Sequence, residues 1–389
     1  MTTITRTGVD QVLERAVADG AVPQVVAIAA DRDGIIYEGG AGPRVAGEGG
    51  TVTADTHFRI MSMTKMVATT VALQMMEQGK LDVDAPVAHY CPEFDEVQVL
   101  DGFDGDEPRL RAPSTQATVK NLLTHTTGLG YWFFSPDLLR WEAATGTPNV
   151  LSGQNAIFRA PMLVDPGTRF DYGINIDWLG RVIDAASGMK LDEAVAHVVT
   201  GPLGMNDTAF VMSDAQRANS VPVHLQDEDG AWAPSDVDLV EEPDYWAGGH
   251  GLHSTPRDYM KFQRMLLGNG TSPDGVKILE SATVDAAFTN QIGAIDFPAE
   301  LPTADPTATC DFMAGPGFKW GYGLLLNTED APGARRAGSG AWAGLLNTHF
   351  WIDRTSGITG AIYSQTLPFA TLPALQMYQE FEGALYASL

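Results

Sequence analysis

The stretch FRIMSMTKMVATTVALQMMEQGKL, residues 58–81, contains the residues that decide how the fold is assigned. Ser62 is followed three positions later by Lys65, and then by an apolar segment with a plausible stop at Gly79. Residues three apart on a helix lie on one face, so their side chains can meet. The pair is therefore either a nucleophile with its base, or a helix N-cap followed by a lysine at the surface.

The Ser-x-x-Lys spacing occurs twice, so the spacing alone decides nothing. The second pair, Ser187 and Lys190, spans Gly188, where a helix is predicted to end, and its side chains need not share a face. Ser62 instead begins a helix, and the free N–H groups and partial positive charge there favour an oxyanion. The apolar neighbours of Lys65 would desolvate its amine and lower its pKa, which favours the neutral base that a serine nucleophile needs.

Composition restricts the classes of protein. The chain has 389 residues, 44% of them hydrophobic, and a formal net charge of −25, which disfavours nucleic acid and anionic membranes as partners. No stretch approaches 18 uncharged apolar residues, and residues 1–17 lack the apolar region of a signal peptide, so we expect a cytoplasmic protein. Cys91 and Cys310 are expected to be buried thiols. The oligomeric state is not predicted.

Strand patterns occur towards both ends of the chain and helical patterns lie between them. Residues 22–42 predict two strands joined by an Asp-Gly turn, and residues 371–387 predict a final helix. Residues 95–117 are acidic and rich in turn residues, which predicts an exposed excursion. We therefore predict an α/β body from residues 1–75 and 206–389, with a mainly helical domain, residues 76–205, inserted into it.

Two further segments offer groups for serine chemistry. Tyr172 lies between a Pro-Gly turn and a predicted helix, where a phenol can point into a cleft and carry protons. A half-buried packing tyrosine is the alternative. In Trp342-Ala343-Gly344 the small residues allow a backbone N–H to approach a ligand, although a tight turn before an edge strand explains them equally well.

The chain resembles the serine β-lactamase/penicillin-binding-protein superfamily, and in particular its family VIII carboxylesterase branch and the related fungal statin side-chain acyltransferases. The resemblance covers residues 10–385 and rests on five motifs in order: Ser62-Met-Thr-Lys65, Leu122-Leu-Thr-His125-Thr-Thr-Gly128-Leu, Tyr172-Gly-Ile-Asn175, GGHGLHSTPRDYMKF (248–262) and Trp342-Ala-Gly344. It implies an α+β, β-lactamase/transpeptidase-like fold, with an antiparallel sheet flanked by helices and the active site in the cleft between the two domains.

The resemblance also implies roles for individual residues. Ser62 would be the acylated nucleophile, and Lys65 with Tyr172 would form the base and proton relay. The backbone N–H groups of Ser62 and Leu345 would form the oxyanion hole. No metal or organic cofactor is implied.

Two departures from the β-lactamase pattern concern the substrate. Where those enzymes carry Lys-Thr-Gly, this chain has Trp342, Ala343 and Gly344, so an apolar wall replaces a cation and favours a neutral ester. The asparagine of Tyr-x-Asn is also displaced by one position, to Asn175, and is expected to point elsewhere. Tyr131 and Trp246 would add aromatic surface for an acyl or aryl group, unless they belong to the core.

Other catalytic classes lack their motifs. The sequence contains no Gly-x-Ser-x-Gly elbow, His-Glu-x-x-His motif, Walker loop or dinucleotide-binding glycine motif, and we expect His125 to be structural. We predict a serine carboxylesterase that hydrolyses short-chain or aryl esters through an acyl-enzyme on Ser62. The alternatives are an acyltransferase that uses an alcohol as acceptor, a weak β-lactamase, and an inactive penicillin-binding or penicillin-sensing protein.

Overall fold

A computed structural model describes residues 6–389, and the first five residues of the predicted body lie outside the described part. The helices α1 to α11 are, in order, Arg6–Ala18, Thr64–Glu77, Val87–Tyr90, Val119–Leu123, Pro136–Thr145, Asn175–Ser187, Leu191–Val195, Asp214–Ala218, Pro256–Leu267, Ser281–Ala287 and Leu372–Ala387. The strands β1 to β15 are Val25–Asp31, Ile35–Ala41, Phe58–Arg59, Val99–Asp104, Glu107–Arg111, His224–Gln226, Trp232–Pro234, His253–Ser254, Glu300–Leu301, Phe312–Met313, Phe318–Trp320, Leu325–Asn327, Gly340–Gly344, Thr348–Asp353 and Ile358–Tyr363.

An antiparallel sheet joins the two ends of the chain. Its strand order is β11-β12-β13-β14-β15-β1-β2, so β1 pairs directly with β15, and Val26 lies opposite Tyr363. Strands β14 and β15 are buried along their whole length, as expected for central strands covered on both faces. The sheet and its flanking helices confirm the predicted α+β fold class.

The two faces of the sheet belong to two separate hydrophobic clusters. Along β1, alternate residues contribute to opposite clusters, because successive side chains of a strand point to opposite faces. Helices α1 and α11 cover one face, where Phe381 lies against Trp351 with ring centroids 5.5 Å apart. Helix α9 packs on the other face, where the rings of Tyr259 and Phe350 are 5.4 Å apart.

Helix α2 lies in the centre of the molecule. Eleven of its fourteen residues are buried, and it packs against α6 and α7 on the helical side. A helix that is apolar around its whole circumference must be enclosed by protein. A 3₁₀ turn, Met61–Met63, leads directly into it. Because β13 lies against this turn, the start of α2 is held close to the sheet.

Several local predictions are modified by the structure. The predicted excursion at residues 95–117 contains the antiparallel hairpin β4–β5, which is mostly exposed although Val99 and Leu100 are buried. Thr255 caps α9, since its side chain accepts a hydrogen bond from the N–H of Asp258. Cys91 and Cys310 are both free thiols, but only Cys91 is buried. Between residues 6 and 389, no helix is long and apolar enough to cross a membrane.

Candidate active site

Ser62 lies in the 3₁₀ turn, and Lys65 lies in the first turn of α2. The side-chain nitrogen Nζ of Lys65 is 3.1 Å from Ser62 Oγ. Ser62 does not act as an N-cap, because neither the turn nor α2 has a side-chain cap at its N-terminus. Lys65 does not extend to the surface either, since it is completely buried. The helix-cap alternative is therefore wrong for both residues.

Lys65 has three polar neighbours. Besides Ser62, Nζ donates hydrogen bonds to the phenol oxygen of Tyr131 and to the carbonyl oxygen of Gly249, each at 2.9 Å. It also lies 4.6 Å from the ring centroid of Tyr172. Burial lowers the pKa of Lys65 because it penalises the charged form, and the carboxylate of Asp177 opposes that shift. The structure thus supplies the desolvation that the sequence predicted.

Tyr172 stands between Ser62 and the sheet. Its hydroxyl oxygen accepts a hydrogen bond of 2.9 Å from the indole Nε1 of Trp342 and also interacts with the Ser62 side chain. Burial raises the pKa of Tyr172, while the contacts with Ser62 and Trp342 oppose the rise. The phenol is therefore neutral at ordinary pH and lies in a chain of polar groups that can move a proton.

Two buried polar side chains hold the loop that carries Tyr172. Asn175, the first residue of α6, donates to the carbonyl oxygens of Leu129 and Asp171, at 2.9 and 3.2 Å, and lies 3.0 Å from His125 Nδ1. The ring of His125 lies 4.9 Å from that of Tyr172, and its burial lowers its pKa well below the usual value. His125 thus has the structural surroundings that the sequence predicted, and Asn175 supports the loop.

Strand β13 brings Trp342, Ala343 and Gly344 to the nucleophile. The Trp342 ring is fixed between Tyr172 and Trp320, with centroid distances of 4.8 and 4.6 Å. A Cβ atom at Gly344 would overlap the carbonyl oxygen of Ile60, so only glycine permits β13 to lie this close to the 3₁₀ turn. The next residue, Leu345, packs against the apolar cluster that contains Met61, the neighbour of Ser62 in the chain.

Tyr131 and Trp246, the two aromatic residues predicted to line the substrate site, differ in their positions. Tyr131, predicted as substrate-contacting surface, is 96% buried and directs its phenol at Lys65. Trp246 packs on Phe210, with ring centroids 5.5 Å apart, and not on the ring of Tyr172.

The second Ser-x-x-Lys pair does not come together. Ser187 ends α6 and exchanges hydrogen bonds with the backbone of Met189, while Lys190 pairs with Asp184 at 3.2 Å. The prediction that position on the helix separates this pair from Ser62 and Lys65 is confirmed.

Sequence reasoning missed Asp177 and Gly249. Asp177 lies in the first turn of α6 and is completely buried, and Gly249 contacts both this carboxylate and Lys65. The available signals were an acidic residue between the apolar residues Ile176 and Trp178 at the start of a predicted helix, and the Gly-Gly pair of the GGHG motif.

An antiparallel sheet, a central helix and a Ser–Lys pair at the start of that helix define the serine hydrolases and acyltransferases of β-lactamase fold. The family model for Beta-lactamase matches residues 9–383, and the chain belongs to this family.

Named relatives place the chain further within the superfamily. It is 32% identical over 370 residues to lovastatin esterase of Penicillium rubens, a match that covers 90% of each chain. It is also 32% identical over 356 residues to monacolin J acid methylbutanoyltransferase of Aspergillus terreus, covering 86% of this chain and 82% of the relative. A mutant of simvastatin synthase from Aspergillus terreus superposes with a TM-score of 0.84 at 28% identity, covering 97% of this chain and 94% of that one. The resemblance inferred from the five motifs, including its statin side-chain branch, is confirmed.

Proposed function

We propose that this protein is a serine carboxylesterase that hydrolyses neutral carboxylic esters through an acyl-enzyme on Ser62. The observation that carries the proposal is the 3.1 Å contact between Ser62 Oγ and the Nζ of a completely buried Lys65. A serine hydroxyl is a weak nucleophile unless a base takes its proton, and a desolvated amine is such a base.

The proposed reaction has two halves. Neutral Lys65 takes the proton of Ser62 Oγ as that oxygen bonds to the ester carbonyl carbon, and the backbone N–H groups of Ser62 and Leu345 stabilise the oxyanion. The carbon–oxygen bond to the leaving alcohol then breaks, and the alcohol receives its proton through Tyr172. In the second half, water attacks the acyl carbon and its proton passes through Tyr172 to Lys65. Lys65 then returns the proton to Ser62 Oγ as the bond between that oxygen and the acyl carbon breaks and the acid leaves.

The surroundings of Ser62 favour an apolar acyl or aryl group. Met61, Val223 and Leu346 form a small buried cluster beside the nucleophile, with half-buried leucines packed around it: Leu151, Leu239, Leu345 and Leu367. We propose that the substrate lies between the body, residues 1–75 and 206–389, and the helical domain, residues 76–205. The contact of Lys65 with both Tyr131 and Gly249 supports this placement, because these two residues come from the two proposed domains.

The test uses p-nitrophenyl esters of increasing acyl chain length. We expect Ser62→Ala to lose nearly all turnover and Ser187→Ala to keep it, with the highest kcat/KM on short acyl chains. Ser187→Ala is a matched control because it removes the serine of the second Ser-x-x-Lys pair, which has no contact with its own lysine. Full activity of Ser62→Ala would refute the proposal.

Transfer of the acyl group to an alcohol is the second candidate reaction. It is favoured by one observation: a relative of 32% identity is named a methylbutanoyltransferase. Both reactions share the acyl-enzyme and differ only in the acceptor. The ratio of ester to free acid formed when a primary alcohol is added separates them. Dominant ester formation at low alcohol concentration would identify a transferase, whereas acid as the main product would identify a hydrolase.

A further inference from the structure

The Asp177 carboxylate is buried in the same part of the molecule as Lys65 without touching it. Oδ1 of Asp177 accepts a hydrogen bond of 3.0 Å from the N–H of Gly249. The carbonyl oxygen of the same glycine accepts the 2.9 Å hydrogen bond from Lys65 Nζ. The backbone of one residue therefore connects a buried carboxylate to the buried amine.

Gly249 is adapted to this contact. A Cβ atom there would lie 2.5 Å from Oδ2 and 2.9 Å from Oδ1 of Asp177. These distances are too short for a carbon atom, so glycine is needed to let the backbone reach the carboxylate. Asp177 also lies in the first turn of α6, where the partial positive charge of a helix N-terminus stabilises an anion. Burial raises the pKa of Asp177 to about 6, and both Lys65 and the N–H of Gly249 oppose that rise, so the carboxyl is an anion above about pH 6.

The other titratable groups around this pair are neutral. His250, whose Nδ1 lies 3.8 Å from Asp177 Oδ1, has a pKa lowered to about 3 by burial and by Lys65. Burial likewise keeps His125 uncharged. It also raises the pKa values of the phenols that face the pair, which are Tyr131, Tyr172 and Tyr245. The counter-charge available to a protonated Lys65 is therefore Asp177.

We propose that Asp177 is a positioning residue of the site, which holds Lys65 against Ser62 through the Gly249 backbone and stabilises the ammonium that forms when Lys65 takes the serine proton. The inference rests on the proposed function, because it assigns a role within the same proton transfer. Burial lowers the pKa of Lys65, so that part of the population is neutral and has a lone pair to accept the proton. Asp177 opposes this shift, so the amine stays basic enough to hold the proton once it has been transferred.

The test is Asp177→Asn, which keeps the size of the side chain and an oxygen for the Gly249 N–H but removes the charge. Without the carboxylate the ammonium is less stable, so the acid limb of the kcat/KM profile should move to lower pH by about one unit or more. The plateau should fall about 3- to 10-fold because Lys65 is then a weaker base. A purely structural role would lower the plateau without moving the limb. Asp184→Asn on the same helix is the matched control and should change neither quantity.

A second measurement does not depend on turnover. The chain has seven lysines, so the ¹³Cε resonances of labelled lysine can be followed against pH in a Ser62→Ala background, with Lys65→Met to assign the signal. Asp177→Asn should lower the midpoint of the Lys65 titration by about one unit or more. If that variant does not fold, Gly249→Ala should lower the midpoint too, because its methyl group displaces the carboxylate.

The outcomes separate the two proposals. An unmoved Lys65 midpoint in the folded variant overturns the role of Asp177, whatever the activity. A Ser62→Ala protein that still turns over esters overturns the proposed function, while the titration continues to report on Asp177 and Lys65.

Discussion

Replacement of Trp342 by phenylalanine tests whether Tyr172 takes part in proton transfer. The indole Nε1 of Trp342 donates the 2.9 Å hydrogen bond to the Tyr172 hydroxyl oxygen. Phenylalanine keeps an aromatic ring between Tyr172 and Trp320. It removes the Nε1–H donor and the smaller ring of the indole. The variant therefore alters the environment of one oxygen atom more than it alters the packing.

The size of the effect depends on the charge that Tyr172 acquires. A hydrogen bond to a neutral group contributes about 0.5–1.5 kcal/mol, which corresponds to about a 2- to 13-fold change in rate. A hydrogen bond to a charged group contributes about 1.5–3 kcal/mol, or about 13- to 160-fold. Because Trp342 opposes the rise in the pKa of Tyr172, its loss makes a developing phenolate more costly. We expect a decrease in kcat of about 10-fold or more.

The assay is the steady-state hydrolysis of a short-chain p-nitrophenyl ester. Trp320→Phe is the matched control, because it removes an indole from the same aromatic cluster whose Nε1 donates instead to the Leu123 carbonyl oxygen, at 3.4 Å. If Trp342→Phe keeps kcat within about twofold of wild type, this hydrogen bond does not act on the transition state and the role assigned to Tyr172 fails. An equal loss in both variants would assign the effect to packing.

Two further predictions concern Tyr131 and a buried ion pair. Tyr131→Phe removes a hydrogen-bond acceptor from Lys65 Nζ, so the protonated amine is less stable. We expect kcat/KM to fall about 2- to 10-fold and the acid limb of its pH profile to move to lower pH. A kcat/KM profile that decreases at every pH without moving along the pH axis would contradict this reasoning. Arg335→Met should lower the free energy of unfolding by about 3–5 kcal/mol, because it leaves Glu382 buried without its partner. Arg15→Met, which breaks an exposed pair, should cost less than about 1 kcal/mol in the same urea titrations, and equal losses would contradict the argument.

Strands with a clear apolar run and a recognisable turn could be predicted from the sequence. The apolar run before the Asp33-Gly34 turn predicted the strand Val25–Asp31, whose side chains divide between two hydrophobic clusters. The hairpin Val99–Asp104 and Glu107–Arg111 was not predicted, because the segment is rich in acidic and turn residues and its register shifts between Leu100 and Phe103. The irregular register interrupts the alternation of apolar and polar residues along Val99–Asp104, and the alternation in Glu107–Arg111 is only five residues long.

In the site too, contacts between residues close in sequence were predictable, whereas contacts between distant residues were not. Ser62 and Lys65 are separated by one turn of chain, so their contact follows from local geometry. Asp177 and Gly249 are brought together by a backbone hydrogen bond across 72 positions, and a backbone N–H exists at every residue except proline. Nothing in the side-chain pattern marks which N–H is used. Tyr131 was chosen for its aromatic ring, but its hydroxyl makes the contact with Lys65.

The exchange of a strand lysine for Trp342 bears on proton transfer as well as on the substrate. A cation on β13 would lie beside Tyr172 and within the surroundings of Lys65, where it would lower the pKa of that amine further. The indole supplies a hydrogen bond to Tyr172 without a charge, so the relay is oriented and Asp177 remains the main charged group that acts on Lys65. An anionic substrate would lose its counter-charge at this position, whereas a neutral ester needs none. Under the two proposals, the residue that favours an ester is also the one that leaves the basicity of Lys65 under the control of Asp177.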